Sequence, residues 1–218
     1  MFANDRDLLV FEPELFRDVG WVGQRLTLGQ AGVSGTTLTA TGLTAGFDVL
    51  GVGGGSVALV DGVPLEVVER LSSTTLTVSR VRGSVSDAAI PPSSVTAGAL
   101  EVFTFGPQIR TVHRQTLRMV GLEPLGEASA DELDASAVTN PEDLRRVEAL
   151  GALHLIFAAA SAPGSSADGP GSSWAARAQM YRERYSAERG RVAALVDVDG
   201  DGRAEAARRL NVVRFVRG

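Results

Sequence analysis

Between residues 35 and 105 the hydrophobic positions fall in short runs rich in Thr, Val and Leu, at 36–39, 56–60, 64–68 and 74–78. Each run is four to six residues long, β-branched and bounded by Gly, Asp or Ser turns, a pattern that fits the strands of an antiparallel barrel. Asp61-Gly62 stands between two runs and suits a two-residue hairpin turn, whose backbone needs positive φ. The expected product is a small antiparallel barrel of five or six strands. Gly-Thr-Thr-Leu-Thr-Ala at 35–40 returns as Ser-Thr-Thr-Leu-Thr-Val at 73–78, and two copies predict two similar strands of one sheet rather than a solenoid. Gly51-Val-Gly-Gly-Gly55 reads as a turn, because no Lys and no following helix complete a phosphate cradle.

After Gly106 the period changes from two to about 3.6. Ile109, Val112, Thr116, Leu117 and Val120 predict a helix over 107–120 that stops at Gly121, and Arg110, Arg114 and Arg118 form a row on its other side that faces solvent or a partner. Residues 123–143 then carry seven acids and no base, which predicts an exposed loop in part of that stretch. A second helix is expected from Pro141, capped by Asn140, through Leu144, Val147, Leu150, Leu153 and Phe157 to about 160. Residues 161–173 read as a linker of Ser, Gly, Ala and Pro. A third helix is expected over 174–195, with Trp174, Ala178, Tyr181, Tyr185, Val192 and Leu195 on one face, and a closing strand over 210–216. The fold class is therefore α+β: an N-terminal arm with a short helix (1–34), a barrel (35–105), a bundle of about three helices (106–160 and 174–218) and a C-terminal strand or arm.

Composition narrows the chemistry. The 218 residues are long enough for one large or two small cores. There is no Cys, and all 21 basic residues are Arg, so thiolate chemistry, disulfides, a Walker lysine, a Schiff-base lysine and a Ser-Lys dyad are excluded. Only His113 and His154 are present, each within an apolar helical pattern that fits a core histidine. No GxSxG, SxxK or HExxH motif occurs, so no catalytic residue is singled out and an enzyme is not expected. The net charge of −5 argues against wholesale nucleic-acid binding. The acidic opening does not fit a signal peptide, and the apolar run at 150–160 is too short for a membrane span.

Two charged features stand out. Asp197, Asp199, Asp201, Arg203 and Glu205 lie in the turn Asp-Val-Asp-Gly-Asp-Gly-Arg-Ala-Glu, where alternating carboxylates, an Arg203 backbone carbonyl and a closing Glu form a hard-oxygen set suited to Ca²⁺. The twelfth position is Arg208, so the loop is not an EF-hand. A plain polar turn, with Arg203, Arg208 and Arg209 relieving repulsion among the acids, is the alternative. Arg177, Arg184 and Arg191 recur every seven residues on the third helix. They make either a solvated face or a surface for an acidic subunit or a DNA backbone.

The strand-rich segment, Thr104-Phe-Gly-Pro-Gln-Ile109 opening a helix, an Ala- and Leu-rich helix, a Trp-x6-Tyr-Arg-x-Arg-Tyr helix, the DxDGDG turn and the ending Val-Val-Arg-Phe-Val-Arg resemble the head-tail connector (adaptor) proteins of tailed bacteriophages and gene transfer agents. The resemblance implies a structural virion protein of the neck, assembled in the host cytoplasm. It implies a ring of this chain, commonly of twelve copies, beneath the portal protein, bound on its other side to a stopper or tail-completion protein, with DNA passing non-specifically and no membrane. Arg177, Arg184, Arg191, Arg214, Phe215 and Arg217 become expected interface residues, and the barrel an insertion facing outward or toward the tail. The competing class is a calcium-dependent surface or carbohydrate-binding module; a hydrolase would need a carboxylate pair that nothing singles out.

Overall fold

The computed structural model describes residues 1–123, 133–161 and 170–210. The chain is α+β, in two compact units: Asn4–Gly106, the barrel unit, and Met1–Ala3 with Pro107–Gly218, the helical unit.

Six strands form the barrel: β1 (Gln24–Ser34), β2 (Thr37–Thr41), β3 (Val57–Val60), β4 (Val63–Arg70), β5 (Thr75–Ser79) and β6 (Val95–Thr104). They close antiparallel in the order β1-β2-β5-β4-β3-β6. Inward positions such as Val33, Leu38, Leu65, Val67, Leu76, Leu100 and Val102 fill the interior with Phe47 and Val52. The two echoing segments are neighbours, with Leu38 opposite Leu76, so the repeated pattern supplies matched faces to one strand pair. Asp61 and Gly62 have φ of 50° and 76°, the conformation expected of their hairpin.

Strand β1 lies in the stretch that the sequence assigned to an arm, so the barrel begins at Gln24 rather than at residue 35. Its alternation is concealed because bulges at Arg25/Thr27 and Ala31/Val33 shift the phase of the inward residues. At Gly29 a Cβ would stand 2.7 Å from the Thr41 carbonyl oxygen, so closure at this point needs glycine.

Two short helices, α1 (Asp5–Phe11) and α2 (Leu15–Asp18), precede the barrel. Asn4 and Asp7 form a reciprocal capping box at the start of α1. The Gly51–Gly55 turn receives that start: the Arg6 amide donates to the Gly55 carbonyl at 2.9 Å, and a Cβ on Gly55 would clash with the Asn4 side chain. Helix α2 lies against β3 and β4, and all four residues of β3 are buried.

Burial raises the Asp5 carboxyl from 3.8 to about 6, against hydrogen bonds from the Thr104 hydroxyl and the Phe105 amide that lower it. A folded value above the unfolded one favours the protonated carboxyl, so stability is fullest below about pH 4 and declines as pH rises through 6. The decline is about 3 kcal/mol at 1.36 kcal/mol per unit. Asp5→Asn, which keeps an acceptor for the Phe105 amide, is expected to gain stability relative to the parent between pH 4 and 7. Urea midpoints of both proteins across that range check this, and parallel profiles would refute it.

In the helical unit, α3 (Gly106–Met119), α4 (Pro141–Ala160) and α5 (Pro170–Arg191) are followed by β7 (Ala193–Val196) and β8 (Ala206–Arg209), an antiparallel pair. Every residue from Val147 to Leu153 is buried, which makes α4 the central helix. Gly151 brings its neighbours close: a Cβ there would stand 2.7 Å from Val112 of α3 and 3.0 Å from Tyr185 of α5. Phe157 and Tyr181 stack with ring centroids 5.7 Å apart.

Several expectations change. Asn140 precedes α4 but does not cap it; its amide bonds the Ala193 carbonyl and the Leu195 amide, because the edge of β7 competes successfully for it. Helix α5 ends at Arg191 rather than 195, and Leu195 points outward from β7 between buried Ala194 and Val196. Residues 170–173, assigned to the linker, belong to α5. The rest of that linker at 162–169 and most of the closing strand at 210–216 lie outside the described residues. Among the described residues no helix is long and apolar enough to cross a membrane.

Candidate functional site

The acidic turn joins β7 to β8 and is wound by two glycines, Gly200 and Gly202, at φ of 80° and 85°. Positive φ at both positions folds the backbone tightly enough for its amides to point at the carboxylates that flank them. Asp197 accepts from the amides of Gly200 at 2.7 Å and Gly202 at 2.8 Å. Asp199 accepts from Asp201 N at 3.1 Å, and Asp201 from Arg203 N at 2.8 Å. Glu205 reaches back to Val198 N at 2.7 Å.

One oxygen from each of Asp197, Asp199, Asp201 and Glu205 lies within 4.8 Å of the others, so the four residues could hold a metal ion. Asp197 is half-buried and the other three are exposed. Backbone amides use one lone pair of each bonded oxygen, which leaves capacity for a cation. The arginines that could have relieved the repulsion are placed elsewhere or unpaired. Arg208 donates to the carbonyls of Val120 and Gly121 at 2.9 Å each, and among the described residues neither Arg203 nor Arg209 forms an ion pair with the turn.

The arginines of α5 are partly engaged by aromatic rings. Arg177 lies 5.5 Å from the Phe157 ring centroid and Arg184 lies 5.6 Å from that of Tyr181. Arg191 is exposed at the end of the helix. Arg214, Phe215 and Arg217 lie outside the described residues.

Both histidines have internal partners. His113 Nδ1 donates to Glu148 Oε1 at 2.6 Å, and His154 Nδ1 donates to the Ala178 carbonyl at 3.0 Å. The sequence did not single out the buried acids Asp5, Asp7, Glu66 and Glu148. Glu148 also accepts from the amides of Phe2 and Ala3, Glu66 lies between Arg6 and Arg82, and Asp5 accepts from the Phe105 amide. A usable signal exists for Glu148: it is the one polar residue in the run 147–153, and an acid there must find donors in the core.

On the barrel unit, a groove of about 880 Å³ runs past Val60, Val63, Pro64, Arg80, Pro91 and Pro92. No aromatic side chain lines it, so it lacks a flat platform for a sugar ring. No family model matches the chain, and no curated protein and no solved structure matches it either.

Proposed function

We propose that this chain is a non-enzymatic structural subunit, a head-tail connector that assembles as a ring beneath a portal protein and through which DNA passes into the tail. The observation that carries this reading is the disposition of polar chemistry. The histidines and the buried acids are satisfied internally, whereas arginines stand on the outer faces of the helical unit. The motif order from Thr104 to the C-terminal Val-Val-Arg-Phe-Val-Arg, which resembles connectors, supports the same assignment. In this reading Arg184, Arg191, Arg214, Phe215 and Arg217 meet neighbouring subunits or the portal, and Arg177 supports that face through Phe157.

The acidic turn is read as a Ca²⁺ site. Ca²⁺ takes six to eight oxygens at about 2.3–2.6 Å, and four carboxylates in one tight turn are hard donors of that kind. A cation would neutralise the clustered charge and fix the β7-β8 hairpin. The groove without aromatic residues gives no comparable support to a carbohydrate-binding module.

One experiment tests both parts. Protein purified in millimolar CaCl₂ or in EGTA is imaged by negative-stain electron microscopy, with and without portal protein, while melting is followed in parallel. Closed rings or a portal complex are expected, with melting shifted upward by Ca²⁺ in the parent but not in Asp199→Asn/Asp201→Asn. At 100 times the dissociation constant, one bound ion contributes about 2.7 kcal/mol. A strict monomer that ignores portal protein would overturn the connector assignment, and unchanged melting in EGTA would overturn the metal assignment.

A further inference from the structure

Helix α3 carries Arg110, Arg114 and Arg118 at i, i+4 and i+8, and all three are exposed. At 1.5 Å per residue they stand about 6 Å apart along the axis, a row about 12 Å long that slants around the helix by about 40° per step. The helix contains no acidic residue, and among the described residues none of the three has an ion pair or a ring partner. Arg145 pairs with Glu142, Arg146 with Glu188, and Arg177, Arg184 and Arg189 each lie over an aromatic ring. Like charges at i,i+4 cost a helix a few tenths of a kcal/mol per pair, so the row is unfavourable for α3 by itself.

We infer that the α3 row is a docking surface for the phosphate backbone of duplex DNA. The occupant rests on the reading above that DNA passes through an assembly of this chain; the geometry that selects it is local to α3. One strand of a duplex presents a phosphate about every 3.4 Å along the axis, so a row of about 12 Å spans three or four of them. Guanidinium groups at regular intervals suit a repeating anion, and exposed Gln115 adds a polar side chain between Arg114 and Arg118. The net charge is compatible with this, because Asn4–Gly106 holds 6 Arg against 11 acids and Pro107–Gly218 holds 15 of each. Nothing in the row reads a base, so the contact is independent of sequence. Three phosphates give a weak grip, which suits DNA that must move past.

The test is fluorescence anisotropy of a labelled 30-base-pair duplex of arbitrary sequence, titrated with the full chain between 50 and 200 mM salt. Three contacts give a log-log salt slope of about −2.7, or about a 40-fold loss of affinity across that range. Arg110→Gln/Arg114→Gln/Arg118→Gln is expected to abolish that slope, and Arg114→Gln alone to reduce it by about 0.9. The three Lys replacements should retain it, and Arg17→Gln, at an exposed position of the barrel unit paired with Glu14, should leave it unchanged. Circular dichroism and ring formation of the triple variant report whether it folds and assembles. A folded triple variant with the parental affinity and slope would overturn the inference, as would a parent that binds no duplex at 50 mM salt. Salt-sensitive self-association lost in the triple variant without DNA would overturn it too, by assigning the row to a second copy. Rings without a DNA slope remove this inference alone, whereas a slope without rings removes the connector reading alone.

Discussion

Glu66→Gln is expected to lower the melting temperature of the barrel unit by more than about 10 °C. Glu66 is fully buried on β4, where Oε2 accepts from Arg6 Nε at 2.8 Å and Oε1 accepts from Arg82 Nε. Arg6 also reaches Asp7 at 3.4 Å and the Arg82 carbonyl, while Arg82 Nη1 donates to the carbonyls of Val85 at 3.0 Å and Asp87 at 2.6 Å. One carboxylate therefore ties α1 and the 82–87 loop to the barrel wall. Removing its charge leaves the buried Arg82 guanidinium without its carboxylate partner and Arg6 with Asp7 alone, which costs about 3–5 kcal/mol. For a unit of this size each kcal/mol moves melting by about 4–8 °C. The wild-type network is not for that reason a large net stabiliser, since taking the charges of Arg6, Asp7, Glu66 and Arg82 out of water opposes their attraction. Arg6→Met/Glu66→Leu/Arg82→Met is accordingly expected to recover at least half of the loss. Melting followed by circular dichroism decides the matter, and Glu66→Gln within about 2 °C of the parent would refute it.

Glu148→Ala is expected to have an effect of similar size on the helical unit. Glu148 is also fully buried; Oε2 accepts from the amides of Phe2 and Ala3 at 3.0 Å each, and Oε1 accepts from His113. Phe2 lies edge-on to the His113 ring at 5.0 Å, and Arg145 Nε donates to the Phe2 carbonyl at 3.2 Å. One side chain of α4 thus anchors both the N-terminal residues and α3. Truncation leaves three donors without their acceptor and opens a cavity, a cost of about 3–5 kcal/mol. Glu148→Gln keeps one acceptor oxygen and places an amide against the other donors, so it should recover only part. Hydrogen exchange separates local from global loss: Glu148→Ala should reduce protection in α3 and α4 while the barrel strands keep theirs. Unchanged protection in α3 and α4 would refute the prediction.

The elements most legible in the sequence were those whose inward residues keep one period from end to end. Ile109, Val112, Thr116 and Leu117 all face inward on α3, and the α4 pattern from Leu144 to Phe157 is equally regular. Strand β1 was concealed because its bulges change which residues face inward, and a bulge depends on the neighbouring strand rather than on the residue itself. The end of α5 was misplaced for a related reason. Val192 and Leu195 continue a helical spacing, yet pairing with β8 makes Ala194 and Val196 the buried positions.

The acidic turn was readable as a candidate site because its ligand atoms, glycines and spacing are all local. Arg208 was not readable in the same way: beside the acids in sequence it looks like their counter-ion, but the fold directs it to the carbonyls at the end of α3.

Sequence alone determined the α+β class, the hairpin at Asp61-Gly62, the helical segments and the convergence of four carboxylates, because each depends on residues a few positions apart. Tertiary structure alone decided the closure of the barrel and the partners of Glu66, Glu148 and Asp5. It also decided which arginines are engaged by rings and which form the row on α3 that has no ion pair among the described residues. Those outcomes depend on groups brought together from as far as 146 residues apart, and a buried charge is settled by whichever donors the completed core places against it.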